Sequence, residues 1–177
     1  MKNTILLVVD VQNVLIESRP YNTRKVIDNI KKLIKSARKN NIEIVYVRHE
    51  EAGTPFEKGT LGWKIYNEVK PTDDEAIFDK NFNSAFLKTG LKAYLDSKFI
   101  KNIILVGLRT EYCVDATCKS AFDLGYNIII PEETNTTFGN EYLSGKNVYK
   151  FYNFEIWNNR FAKVISMAEV EAMISDI

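Results

Sequence analysis

The chain holds a single histidine, His49, and only two cysteines, Cys113 and Cys118, in 177 residues. One histidine excludes a zinc site built on several imidazoles. The two cysteines are not spaced as a Cys-x-x-Cys redox pair. On one helix they would stand about 140° apart around the axis, too far round to share a metal easily. We therefore expect Cys118 to be a small apolar filler on an inner face, and neither thiol to form a structural disulfide. Glycine is scarce as well, with none before Gly53. A dinucleotide fingerprint is thus missing from the turn after the first apolar run, where it would have to lie. The segment "GLRTEYC" lacks the Gly-Lys-Ser/Thr of a phosphate-binding loop. No apolar run approaches the ~20 residues of a membrane span, and "ILLVV" is too short for a signal segment and is broken by Asp10. A net charge of +1 gives no electrostatic case for nucleic acid or an anionic membrane. These absences predict a cytoplasmic protein whose partner is a small molecule.

What is present is an ordinary globular composition, 45% hydrophobic and 27% charged, expected to form one domain over residues 1–177. "TILLVVDV" (4–11) predicts a strand buried on both faces. In "TRKVIDNIKKLIKSARKN", Val26, Ile27, Ile30, Leu33, Ile34 and Ala37 recur at the three- and four-residue spacing of an amphipathic helix. "IEIVYVR" (42–48) predicts a second strand, followed by a loop over 49–75 long enough to suggest function. "AIFDK" (76–80) and "NIILVGL" (102–108) read as further strands, separated by the helix "TGLKAYLDSKF". A helix over about 112–124 ends at Gly125. Then come the strand "NIIIPEE", the helix "VYKFYNFEIWNNRFA" and the strand "KVIS". Ser166 and Glu169 form a capping box for "MAEVEAMISDI". Such alternation predicts an α/β fold: a three-layer, doubly wound, mostly parallel sheet of about six strands with helices on both faces.

In such sheets ligands sit beyond the carboxyl ends of the strands. Asp10 follows the first strand, Arg48 and His49 end the second, Lys80 ends the third, and Arg109 to Cys113 follow the fourth. A thiol at a helix start can be shifted toward thiolate by the helix dipole and a nearby cation. Lys80 can supply the cation and Asp10 the base. Backbone N–H groups at that helix start can hold an oxyanion. Together these parts suit acyl transfer, although the same residues can also serve as a structural ion pair and a core thiol.

"LLVVDVQN", "FDKNFNSAF" and "GLRTEYCVDATCKSAFDLGY" resemble, in order and spacing, the three motif blocks of the isochorismatase-like cysteine hydrolases, which include nicotinamidases and other amidases. The resemblance covers essentially the whole chain. It implies an Asp10–Lys80–Cys113 triad, a cis peptide between Leu108 and Arg109, and an oxyanion hole made by the N–H groups of Arg109 and Cys113. It also implies a homodimer or homotetramer.

The nicotinamidases of that family bind a metal through an Asp and several His residues near the end of the second strand. Here the region reads "YVRHEEAGTPFEKG", so no metal and no other cofactor is expected. Isochorismatases proper lack the nucleophilic cysteine. What the resemblance then implies is a metal-independent hydrolase of a small amide or ureide. A nicotinamidase-type amidase and a non-catalytic binding or scaffold protein on the same fold are the alternatives. Gln12, His49, Trp63, Tyr112 and Phe138 are the candidate substrate-binding residues, with Phe56 and Glu50 nearby and the Arg109 side chain at the surface or the pocket rim.

Overall fold

A computed structural model describes residues 3–175. Strands β1 (Thr4–Val9), β2 (Glu43–His49), β3 (Ala76–Lys80), β4 (Asn102–Leu108), β5 (Asn127–Pro131) and β7 (Lys163–Ile165) lie in the order β3-β2-β1-β4-β5-β7. The two-residue β6 (Asn135–Thr136) pairs with the end of β4. Every ladder is parallel. The order runs outward in both directions from β1 and β4, the arrangement that opens a crevice at their carboxyl ends.

The sheet is central because its inner strands are apolar on both faces. Leu6 and Val8 of β1 point to one side, where they meet Ile104 and Val106 of β4 and the buried stripe of helix α2 (Thr23–Lys39). Helix α6 (Met167–Ser175) completes that layer through Val170 and Ile174. Ile5, Leu7 and Val9 point to the opposite side, against helix α3 (Leu91–Ser97) and helix α4 (Asp115–Asp123). Cys118 is fully buried in this second layer, in the same apolar cluster as Trp157. The Ser166–Glu169 capping box forms at the start of α6, with Glu169 N–H donating to Ser166 Oγ at 3.2 Å and Ser166 N–H to Glu169 Oε2 at 2.9 Å. Residues 176 and 177, the end of that predicted helix, lie outside the described residues.

The doubly wound parallel fold is the one expected, with differences in detail. β1 stops at Val9, because Asp10 turns the chain with φ +51°. Short helix α1 (Asn13–Glu17) and β6 are additional; five and two residues give too little periodicity to read. The helix predicted over 148–162 is α5 (Gly145–Lys150), continued by a wider π-helical stretch over Phe151–Trp157. Among the described residues no helix is long and apolar enough to cross a membrane.

Candidate active site

Asp10, Lys80 and Cys113 meet at the carboxyl edge of the sheet. β2 lies between β1 and β3, so Lys80 starts two strand spacings, about 4.8 Å each, from β1. A four-carbon stem can cross that gap. Its ammonium ends 2.7 Å from Asp10 Oδ2 and 3.2 Å from Cys113 Sγ. The side chains of Lys80 and Asp10 are only 0% and 2% exposed, so neither charge is relieved by water. A buried pair of this kind depends on its partners for compensation. The second Asp10 oxygen, Oδ1, is buried and has no hydrogen-bond partner among the described residues.

Cys113 is positioned by the turn beyond β4. Gly107 takes φ +134°, and a Cβ there would lie 1.9 Å from the Val9 carbonyl oxygen. The Leu108–Arg109 peptide is cis. Residues Thr110–Val114 then form one π-helical turn in which Val114 N–H donates to Arg109 O at 3.2 Å. Such turns recur at functional sites. Buried polar contacts fix this turn from behind: Thr110 Oγ1 donates to Asn135 Oδ1 at 2.8 Å, and Asn135 and Asn153 exchange amide hydrogen bonds at 2.9 and 3.0 Å. Trp157 Nε1 donates to Asp115 Oδ1 at 2.9 Å in the first turn of α4.

The electrostatics correct one sequence expectation. The Cys113 thiol is not shifted toward thiolate: burial, and then the Asp10 charge, push it up to about 12 against the opposing pull of Lys80. α4 proper begins at Asp115, two residues past the thiol, and its first turn already carries that acidic side chain. Burial pulls the Lys80 ammonium down, but Asp10 and then Cys113 outweigh it, and the net direction is up. The resting thiol is therefore protonated beside an ammonium. His49 Nδ1 lies 3.5 Å from Lys80 Nζ. Burial and then the Lys80 charge lower the His49 pKa, a direction that favours the neutral imidazole.

Asp10, Cys113, His49 and Tyr112 line a cavity of about 210 Å³ together with Leu15, Phe56 and Arg109. That is small beside common ligand pockets of about 300–1,000 Å³. Three expected substrate contacts lie elsewhere. Gln12 is fully buried, and its amide is consumed by backbone: Nε2 donates to His49 O at 2.9 Å and Trp63 O at 2.8 Å, while Oε1 accepts from His49 N–H at 2.9 Å. Trp63 stacks under the Arg48 guanidinium, 3.5 Å from Cζ to the ring centroid, and so pins the loop to β2. Phe138 lies against the Arg109 guanidinium, 5.1 Å from ring centroid to Cζ, and is absent from the cavity lining. The Glu50 backbone accepts from Asn81 Nδ2 at 2.8 Å, and Glu50 is absent from the cavity lining. Leu15 and Asn83 are additions that the sequence reading does not supply. Asn83 Oδ1 lies 3.8 Å from Cys113 Sγ, and an Asn three residues after Lys80 is the signal available for it. Among the described residues no cluster of three or more His, Cys, Asp or Glu side chains is placed to hold a metal ion.

The sequence matches the isochorismatase domain over residues 4–169. The chain belongs to the isochorismatase family. Its relatives include the isochorismatase-family protein YrdC of Bacillus subtilis, 29% identical over 76% of this chain and 74% of that protein. The ureidoacrylate amidohydrolase RutB of Agrobacterium fabrum is 26% identical, covering 93% of this chain and 91% of its own. A solved isochorismatase-type structure from Oleispira antarctica superposes with a TM-score of 0.91 at 29% identity, over 97% of this chain and 98% of that one. This isochorismatase-family chain thus shares the fold of that solved structure.

Proposed function

We propose that the protein is a metal-independent cysteine hydrolase that cleaves the C–N bond of a small amide or ureide through a thioester. The observation that carries this reading is the Lys80 ammonium bridging Asp10 and Cys113, at 2.7 and 3.2 Å, beside a small cavity. Similarity to an amidohydrolase that acts on ureidoacrylate supports the substrate class.

On this reading Asp10 takes the Cys113 proton as sulfur attacks the substrate carbonyl. A thiol held up to about 12 needs such a base at the moment of attack. Lys80 stays between the two groups and keeps their charges balanced. The N–H groups of Arg109 and Cys113 receive the oxyanion. Collapse breaks the C–N bond, Asp10 returns its proton to the leaving nitrogen, and an amine or ammonia departs. Water then attacks the thioester with Asp10 as base, giving the acid and restoring the thiol.

Screening small amides and ureides for ammonia or amine release, with and without chelator, tests the reading. Wild type should turn over at least one substrate in chelator, and Cys113→Ala and Cys113→Ser should lose turnover while keeping the wild-type circular dichroism. Turnover retained by Cys113→Ala overturns the mechanism, and loss of wild-type turnover in chelator overturns its metal independence.

A further inference from the structure

Resting on the hydrolase reading, the geometry points to Arg109 as the residue that selects substrates carrying a carboxylate. Two cations stand near Cys113: one is enclosed by its partners, and the other, paired with Glu111, keeps donors open. The Lys80 ammonium is fully buried between Asp10 and Cys113. Arg109 lines the cavity, and its side chain is 33% exposed. Its Nε donates to Thr137 Oγ1 at 3.4 Å and one Nη2 hydrogen to Glu111 Oε1 at 3.0 Å. Those two bonds use two of five donors, and Nη1 makes none among the described residues.

The guanidinium is also held still. Its Cζ lies 4.6 Å from the Tyr112 ring centroid and 5.1 Å from that of Phe138. The guanidinium is planar by its own resonance, and the flanking aromatic rings partly dehydrate it, which strengthens a hydrogen bond to an anion. Glu111 contributes a single oxygen to the pair, so the fork is not filled by a bidentate partner. An arginine fork with open donors matches a planar carboxylate in both charge and shape. The remaining walls, Asp10, Leu15, His49, Phe56 and Tyr112, offer no second cation to a substrate anion, and the Asp10 carboxylate beside Cys113 disfavours an anion at that end, which leaves Arg109 as its place. The substrate class is thus a ureido acid or the monoamide of a dicarboxylic acid, with the carboxylate on Arg109 and the scissile carbonyl at Cys113.

Two matched pairs test this: 3-ureidopropionate against propylurea, and succinamate against butyramide. In each, a methyl replaces the carboxylate. Calorimetric binding to Cys113→Ala gives affinity without turnover, and wild-type kinetics give kcat/KM. We expect the anionic member of each pair to be favoured at least tenfold in both measurements. Arg109→Gln should bring that ratio close to one, mainly through KM, and Arg109→Lys should restore part of it, since it keeps the charge and loses the fork. Equal treatment of anionic and neutral members, or a preference that survives Arg109→Gln, overturns the assignment and leaves the hydrolase reading standing. Arg109-dependent binding of the anions with no turnover of any pair leaves the anion site standing and overturns the hydrolase reading. Binding of neither member overturns the assignment.

Discussion

Gln12 closes a two-sided clamp on His49, accepting from its N–H and donating to its carbonyl, both at 2.9 Å, with its amide wholly buried. The same Nε2 reaches the Trp63 carbonyl at 2.8 Å, so one side chain ties the turn after β1 to the end of β2 and to the long loop. Gln12→Ala leaves three partly buried backbone groups without their side-chain partner, and we expect a loss of about 2–4 kcal/mol in denaturant unfolding. Gln12→Glu has nearly the same shape but sets carboxylate oxygen against two carbonyls. Those contacts favour the protonated acid and raise its folded pKa above the unfolded one. Its deficit against wild type should therefore shrink as pH falls from 8 to 5, a trend that melting curves across that range will show.

The Lys80–Asp10 pair makes the opposite kind of prediction, because its members are charged. Lys80→Met strands a carboxylate that is nearly inaccessible to water, and removing one partner of a buried pair costs about 3–5 kcal/mol. Asp10→Asn in the same chain removes the stranded charge. The double variant should recover a large part of the stability and none of the turnover. Recovery of turnover with stability would show that the pair serves the fold alone.

How much of this was legible in the sequence depends on whether a residue's role is set by its own segment. The stripe Val26, Ile27, Ile30, Leu33, Ile34 and Ala37 of α2 is buried as its spacing requires, because a helix face is a local property. That Asp10, Lys80 and the Arg109–Cys113 segment share an edge follows from the parallel alternation of strands and helices, a global property that local patterns imply. The direction of a loop side chain is not encoded in that way. Trp63 turns to Arg48, and Gln12 to the backbone, through contacts made 15 and 37 positions away in the chain. The state of the thiol escapes the sequence for the same reason: the burial that raises it and the Asp10 charge that adds to it come from other segments, and the π-helical turn moves the start of α4 beyond it.

Gly107 gives a prediction that depends on backbone alone. Its φ of +134° is rarely adopted by side-chain-bearing residues, and an added Cβ would stand 1.9 Å from Val9 O and 2.9 Å from Val9 N, where neither strand can yield. β1 and β4 are paired there, with Gly107 opposite Val9. Gly107→Ala should therefore separate the two strands that carry Asp10 and Cys113. We expect insoluble protein, or soluble protein whose melting temperature falls by more than 10 °C. Gly125→Ala is the control: Gly125 has φ +86° but open space around it, so its cost should stay near the ~1 kcal/mol of a strained backbone.

The protonated state of Cys113 separates reactivity from catalysis. With the thiol pushed up to about 12, alkylation by iodoacetamide should keep rising with pH beyond 9 instead of levelling off where a free thiol does. Cys118, fully buried, should stay silent in the native protein. Asp10→Asn removes a charge that raises the thiol and leaves the Lys80 charge that lowers it, so alkylation at pH 8 should quicken while turnover falls. Stability follows the same sign. The folded chain keeps a proton that the unfolded chain gives up near pH 9, so the contribution is whole below that value and is lost as pH climbs toward about 12. The unfolding free energy of wild type should thus fall relative to that of Cys113→Ala by on the order of 1 kcal/mol per pH unit above 9. A difference that stays flat from pH 8 to 10.5 would place the resting proton elsewhere than on sulfur.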